Sequence, residues 1–151
     1  MFQKILVAYD DGNHAVKALD AAIELAKNTS AEIIVGSAYT VPTNDWERYA
    51  NMDGVYPDDD TKATFHERNR KYLEKIQAEA VEKVRQANIP VQSAVKKGKP
   101  GPVLTQMAED LKVDLIIIGS HNRGSMGQFF LGSVSNYVLH NARCPVFIIK
   151  D

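Results

Sequence analysis

The sequence has one cysteine, Cys144, among 151 residues, so no internal disulfide can form. That suits a reducing compartment and predicts a cytoplasmic protein. Neither sign of charge is in excess: 18 Lys and Arg stand against 19 Asp and Glu. A protein that binds nucleic acid by neutralising phosphates needs a basic face, and this balance argues against one. No stretch approaches the roughly 18 apolar residues that span a bilayer. The opening "MFQKILVAYDDGN" meets two aspartates after a handful of apolar residues, too few for the apolar part of a secretory signal. Several catalytic signatures are also missing. There is no G-x-S-x-G elbow, no Gly-Lys-Ser/Thr of a Walker A loop and no G-x-G-x-x-G after the first strand. His14, His66, His121 and His140 include no pair at metal-ligand spacing on one helix, so no structural metal is expected. Cys144 precedes Pro145 at a strand entry with no adjacent base, and reads as an inert thiol rather than a nucleophile.

What the sequence does have is alternation of element types. "KILVAY" (Lys4 to Tyr9) is a short apolar run ending at Asp10-Asp11-Gly12, a turn signal. Ala15, Leu19, Ala22, Ile23 and Ala26 then recur at helical spacing, with Asn13 as the expected N-cap. "AEIIVGSAY" is a second strand. Thr40 to Asp60 has prolines, glycine and three consecutive aspartates but no period. It reads as a long surface loop, of the kind that is functional or orders over a ligand. Trp46 and Tyr49 could cover a bound base or pack on the sheet edge, and Asp58 to Asp60 could cap the next helix. Thr61 to Asn88 predicts a long helix with Phe65, Tyr72, Ile76, Ala80, Val84 and Ala87 buried. "IPVQSAVKKG" is a third strand, near an edge. Pro102 opens a short amphipathic helix, "VDLIIIG" is the most buried strand, a helix of about ten residues starts at Ser133, and "PVFIIK" is the last strand. Helices alternating with largely apolar strands predict an α/β fold: a doubly wound, Rossmann-like parallel sheet of five strands, covered on both faces, forming one domain over residues 1–151.

Ligands of such sheets bind beyond the carboxyl ends of the strands, where the strand order reverses. The first strand ends at Asp10 and the fourth at Gly119, so these two face each other if the strands are neighbours. Gly119, Gly124, Gly127 and Gly132 allow backbone N–H groups to approach an anion closely. Ser133 starts a helix, whose N-terminal amides favour negative charge.

At these residues the chain resembles the universal stress proteins of the ATP-binding kind. That family carries G-x2-G-x9-G-(S/T) after the fourth strand. Here the frame reads Gly119, two residues, Asn122, nine residues, Gly132-Ser133. "KILVAYDDG", "DLIIIGSH" and "LGSVSNYVLHNARCPVFIIK" extend the likeness over the whole chain. The resemblance implies ATP as ligand, with Mg²⁺ or Mn²⁺ beside the triphosphate, on an adenine-nucleotide α-hydrolase-like fold. Asp10 would contact the ribose or the metal-phosphate side. The backbone of Ala38 would pair with the adenine edge. Gly119, Asn122, Gly132, Ser133 and the amide of Val134 would cradle the phosphates, and Arg123 could add charge. Asn122 departs from the family glycine. Asparagine tolerates the left-handed region, so the backbone path can survive, while its side chain could crowd the phosphates or bond to them.

The implied protein is regulatory, acting by binding ATP and changing conformation, with at most slow hydrolysis. Its rivals are an enzyme of the adenine-nucleotide α-hydrolase-like type and a nucleotide-free dimeric stress protein. A homodimer is expected through the last strand, Val146 to Lys150, whose exposed edge a second copy could cover.

Overall fold

Four largely apolar runs and one polar segment, β3, become the five strands of one sheet: β1 (Lys4–Ala8), β2 (Glu32–Tyr39), β3 (Val91–Lys97), β4 (Leu115–Gly119) and β5 (Val146–Ile149). Between them lie α1 (Asn13–Thr29), α2 (Asp59–Gln86), α3 (Pro100–Asp110) and α4 (Ser133–Asn141). This computed structural model describes residues 1–40, 58–120 and 131–150. Trp46 and Tyr49, most of the long loop, and His121, Asn122, Arg123, Gly124 and Gly127 of the glycine loop lie outside them.

The strand order is β3-β2-β1-β4-β5, and every pairing is parallel. The chain winds outward from β1 to β3, then crosses to the other side of β1 and winds outward again. The order therefore reverses between β1 and β4, which pair through Ile5, Leu6 and Val7 with Leu115, Ile116 and Ile117. This is the doubly wound α/β fold, and the adjacency that brings Asp10 and Gly119 together is present.

Side chains alternate across the sheet and build two cores. Ile5, Val7, Ile33, Val35 and Ile117 pack under α1 and α2, while Leu6, Ile34, Ile116 and Ile118 pack under α3 and α4. All five residues of β4 are buried, as expected of a strand covered on both faces. Each Leu or Ile so buried contributes about 1.5–3 kcal/mol from removal of apolar area. β3 and β5 are the sheet edges. Among the described residues no helix is long and apolar enough to cross a membrane.

Helix starts differ in detail from the sequence expectations. Gly12, not Asn13, is the N-cap of α1, and Asn13 is its first helical residue. The turn is set earlier, by the Gly12 N–H donating to Asp10 Oδ1 at 2.8 Å. α2 begins at Asp59, because Asp58 accepts the Thr61 N–H at 2.7 Å and caps it. That bond holds the Asp58 carboxyl below its usual range. The α2 stripe is also corrected. Tyr72 is 51% exposed, while Gln77 is buried with Ala80, Val81 and Val84. Only the C-terminal half of α2 lies flat on the sheet. The N-terminal half contributes instead through the Tyr72 hydroxyl, which donates to Asp11 at 2.9 Å. α3 starts at Pro100, which leaves Pro102 in the first turn, as its sequence position predicts. Both prolines fit, because the first N–H groups of a helix have no intrahelical acceptor.

Candidate functional site

β1 ends at Ala8, and the chain runs on through Tyr9, whose N–H still bonds to the Gly36 carbonyl, to Asp10. β2 continues to Tyr39, and β4 stops at Gly119. These ends, with the start of α4, enclose a cavity of about 600 Å³. It sits at the β1/β4 reversal, the position expected of a ligand site in this fold, and its size suits a small organic ligand. Asp10, Ala38, Gly119, Gly132, Ser133 and Val134 all line it. Asn122 and Arg123 lie outside the described residues.

The two ends of the cavity differ electrically. Gly132 is the N-cap of α4, in extended conformation, and no side chain caps the helix. Its carbonyl accepts from the Asn136 N–H at 2.9 Å and the Ser135 hydroxyl at 3.0 Å. The first-turn N–H groups have no acceptor within the helix, so this end favours an anion. The β1 end carries a carboxylate. Asp10 Oδ1 is held by the Gly12 N–H, and Oδ2 lies 3.1 Å from His14 Nε2. Burial pushes the neighbouring Tyr9 phenol above its usual range, so it is neutral at physiological pH.

Gly119 has a different task from the one its place in the phosphate frame suggests. A Cβ there would collide with the carbonyl of His14, in the first turn of α1. The missing side chain lets α1 lie directly on the end of β4, a close helix–strand approach of the kind glycine allows in nucleotide-binding folds. Gly12 is tight for a related reason, since a Cβ on it would meet the His14 ring. Asp10, Gly12, His14 and Gly119 therefore form one packed corner.

Three further groups join the cavity that sequence reading did not single out. His14 lines it with its side chain 16% exposed, Ser37 forms part of its floor, and Pro100 and Leu104 bring α3 to its wall. The only hint of His14 was its place four residues after Asp10. Ser37 was visible as the one serine of β2, in the middle of its buried run. Cys144 is half-buried against the α3/α4 core, and burial pushes its thiol up, away from the reactive thiolate.

Among the described residues that line the cavity, Asp10 is the one carboxylate that could hold a divalent cation. A carboxylate open to a cavity suits a hard ion such as Mg²⁺ or Mn²⁺, which binds through one or two carboxylates plus phosphate oxygens. Among the described residues no cluster of three or more His, Cys, Asp or Glu could hold a metal alone, so phosphate oxygens and water would supply the remaining ligands.

The family model for the Universal stress protein family matches residues 1–150. The universal stress protein YxiE of Bacillus subtilis is 32% identical over 154 residues, spanning 99% of this chain and 100% of that one. Among solved structures, a universal stress protein in complex with cAMP superposes with a TM-score of 0.71 at 20% identity, over 99% of this chain and 97% of the other. A universal stress family protein from Arabidopsis thaliana with AMP bound gives a TM-score of 0.63 at 18% identity, over 98% and 91%. At such identities the structural likeness speaks to the fold.

Proposed function

The chain belongs to the universal stress protein family, and we propose that it is a cytoplasmic ATP-binding regulatory module, at most a slow ATPase. The observation that carries this reading is the convergence of Asp10, Ala38, Gly119, Gly132, Ser133 and Val134 on one cavity at the start of α4. The cAMP and AMP carried by the two solved relatives support an adenine nucleotide as the ligand class. In this reading Ala38 meets the adenine, and Asp10 faces the ribose or the metal-phosphate side. Ser133 and the Val134 amide hold the phosphates, beside Gly119 and Gly132. Asn122 and Arg123 belong to the same phosphate loop in sequence.

Mg²⁺ or Mn²⁺ would be held by Asp10 together with the phosphates and would offset the triphosphate's charge. The protein's own part is then to bind and orient. Calorimetry of the nucleotide-free protein with ATP and Mg²⁺ tests the reading. Saturable binding is expected, and its absence would leave the nucleotide-free dimer in front. An enzymatic reading has one observation in its favour, the His14 imidazole on the cavity wall beside Asp10. Phosphate release many times faster than in a His14→Ala variant would favour it.

We also propose a homodimer through β5. Among the described residues β5 pairs only with β4, so its outer edge offers backbone groups to a second copy.

A further inference from the structure

Pairing of an adenine with the Ala38 backbone, the reading on which this inference rests, needs an N–H and a C=O that the sheet leaves unused. A parallel strand turns the N–H and C=O of alternate residues toward the same neighbour. In β2, Gly36 faces β1, since its carbonyl accepts the Tyr9 N–H at 2.8 Å. Tyr39 faces β3, since its carbonyl accepts the Gly98 N–H at 2.8 Å. Ala38 therefore faces β1. Ala8 is in register with Gly36, and the same register carried onward would give the Ala38 N–H to the Tyr9 carbonyl. Among the described residues that bond is not made. The Tyr9 carbonyl instead accepts the Ser37 hydroxyl at 2.5 Å.

Gln77 fixes the direction of that hydroxyl. It reaches in from α2, 2% exposed, and its Nε2 lies 2.8 Å from Ser37 Oγ, 2.9 Å from the Ala94 carbonyl and 3.2 Å from the Val35 carbonyl. Carbonyls only accept, so the NH2 end of the amide must face them, and its two hydrogens are shared among these two carbonyls and Ser37 Oγ. The single proton of Ser37 is then left for Tyr9. Bonds that served only to fasten α2 to the sheet would end on Val35 and Ala94. Here the chain of bonds continues through Ser37 to the strand end at the cavity.

We propose that Gln77 and Ser37 are positioning residues for base specificity: the Ser37 hydroxyl holds the Tyr9 carbonyl turned out of line with the Ala38 N–H, which keeps the β1–β2 ladder open there and leaves Ala38 as a donor–acceptor pair for the base. An N–H beside a C=O matches adenine, whose N1 accepts and whose N6 amine donates. It mismatches hypoxanthine, in which N1 donates and O6 accepts.

Amide exchange followed by NMR on the ligand-free protein tests the device directly. The Ala38 N–H should exchange fast in the wild type and at least about tenfold more slowly in Ser37→Ala, where the released Tyr9 carbonyl takes it into the ladder. Gln77→Met should act the same way, by letting the Ser37 hydroxyl turn to Val35 or Ala94, and it serves if Ser37→Ala folds poorly. Ser37→Thr keeps the hydroxyl and should keep fast exchange. In titrations the wild type should prefer ADP to inosine diphosphate by at least about tenfold, narrowing to about threefold or less in Gln77→Met. Slow Ala38 exchange in the wild type, or unchanged exchange in Ser37→Ala and Gln77→Met, overturns the inference whatever the titrations give. A wild type that takes up neither diphosphate overturns the nucleotide reading, and the base-specificity role with it.

Discussion

Gly119→Ala and Gly132→Val should fail in opposite ways, although both glycines stand in the same sequence frame. In Gly119→Ala the added methyl would meet the carbonyl carbon and oxygen of His14. These are backbone atoms of a helix and cannot rotate aside, so α1 or the end of β4 must retreat. α1 holds Ala15, Ala18, Leu19 and Ala22 against the sheet, and its retreat loosens all of them. Overpacking of this kind costs about 1–3 kcal/mol. For a chain of this size each kcal/mol lowers the melting temperature by about 2–4 °C, so a drop of roughly 2–12 °C is expected. Gly132 is the N-cap of α4 in an extended conformation open to other residues, so valine there should cost stability only about 1 kcal/mol. Its side chain would instead stand between the helix start and a bound phosphate. Affinity for ATP should fall at least about tenfold, or about 1.4 kcal/mol, with an unchanged circular dichroism spectrum. Thermal melts and calorimetry on both variants make the comparison. A Gly119→Ala protein that melts within about 1 °C of the wild type, a shift too small for even 1 kcal/mol, would refute the packing account of Gly119.

Asp10→Asn should keep the fold but lose most of the gain in ATP affinity that Mg²⁺ provides, and an unchanged gain would remove Asp10 from the cation's surroundings. The Asp58 cap should give a pH signature. Its folded pKa lies below its unfolded value, so its stabilisation is present above the usual carboxylate range and is lost as pH falls through the folded pKa. Asp58→Ala should therefore melt lower than the wild type at neutral pH, and the gap should close in acid; a gap constant with pH would contradict the assignment. Sedimentation at micromolar concentration should give a dimer, and a monomer would count against pairing through β5. Replacing Asn122 with glycine should leave ATP affinity unchanged if asparagine only supplies a permissive backbone, and raise it if the side chain crowds the phosphates.

The fold was readable because its signals are local. β4 announces itself as five apolar residues in a row, and α1 as a repeating alanine and leucine stripe. Edge positions were readable too: β3 carries exposed polar residues between its half-buried ones, as a strand with one free side can. The place of the candidate cavity was readable where a residue type marks a strand end or a helix start, as with Asp10 and Gly132-Ser133, which do line it. What escaped were residues whose role exists only through a distant partner. Gln77 looks like any polar residue on a charged helix until α2 is laid on the sheet and its amide meets Ser37, forty residues away in sequence. His14 has the same character, since its importance lies in the carbonyl that Gly119 must clear. The Asn13 cap failed for a different reason: Asp10 had already fixed the turn from outside the helix.

The pairing of β1 with β4 also carries a consequence for how the protein is made. Ile5 lies in register with Leu115, and Asp114 accepts the Gln3 N–H at 2.9 Å across 111 residues of sequence. The middle of the sheet therefore cannot close on a ribosome until β4, more than a hundred residues after β1, has emerged, and long-range parallel pairing of this kind is slow. Until then β1 has only β2 beside it, with its other edge open to wrong partners. The candidate cavity is built across this late seam, so it cannot form before the seam closes. A nucleotide that binds there would act on newly made chains as a latch, favouring those that have joined their two halves over those still open.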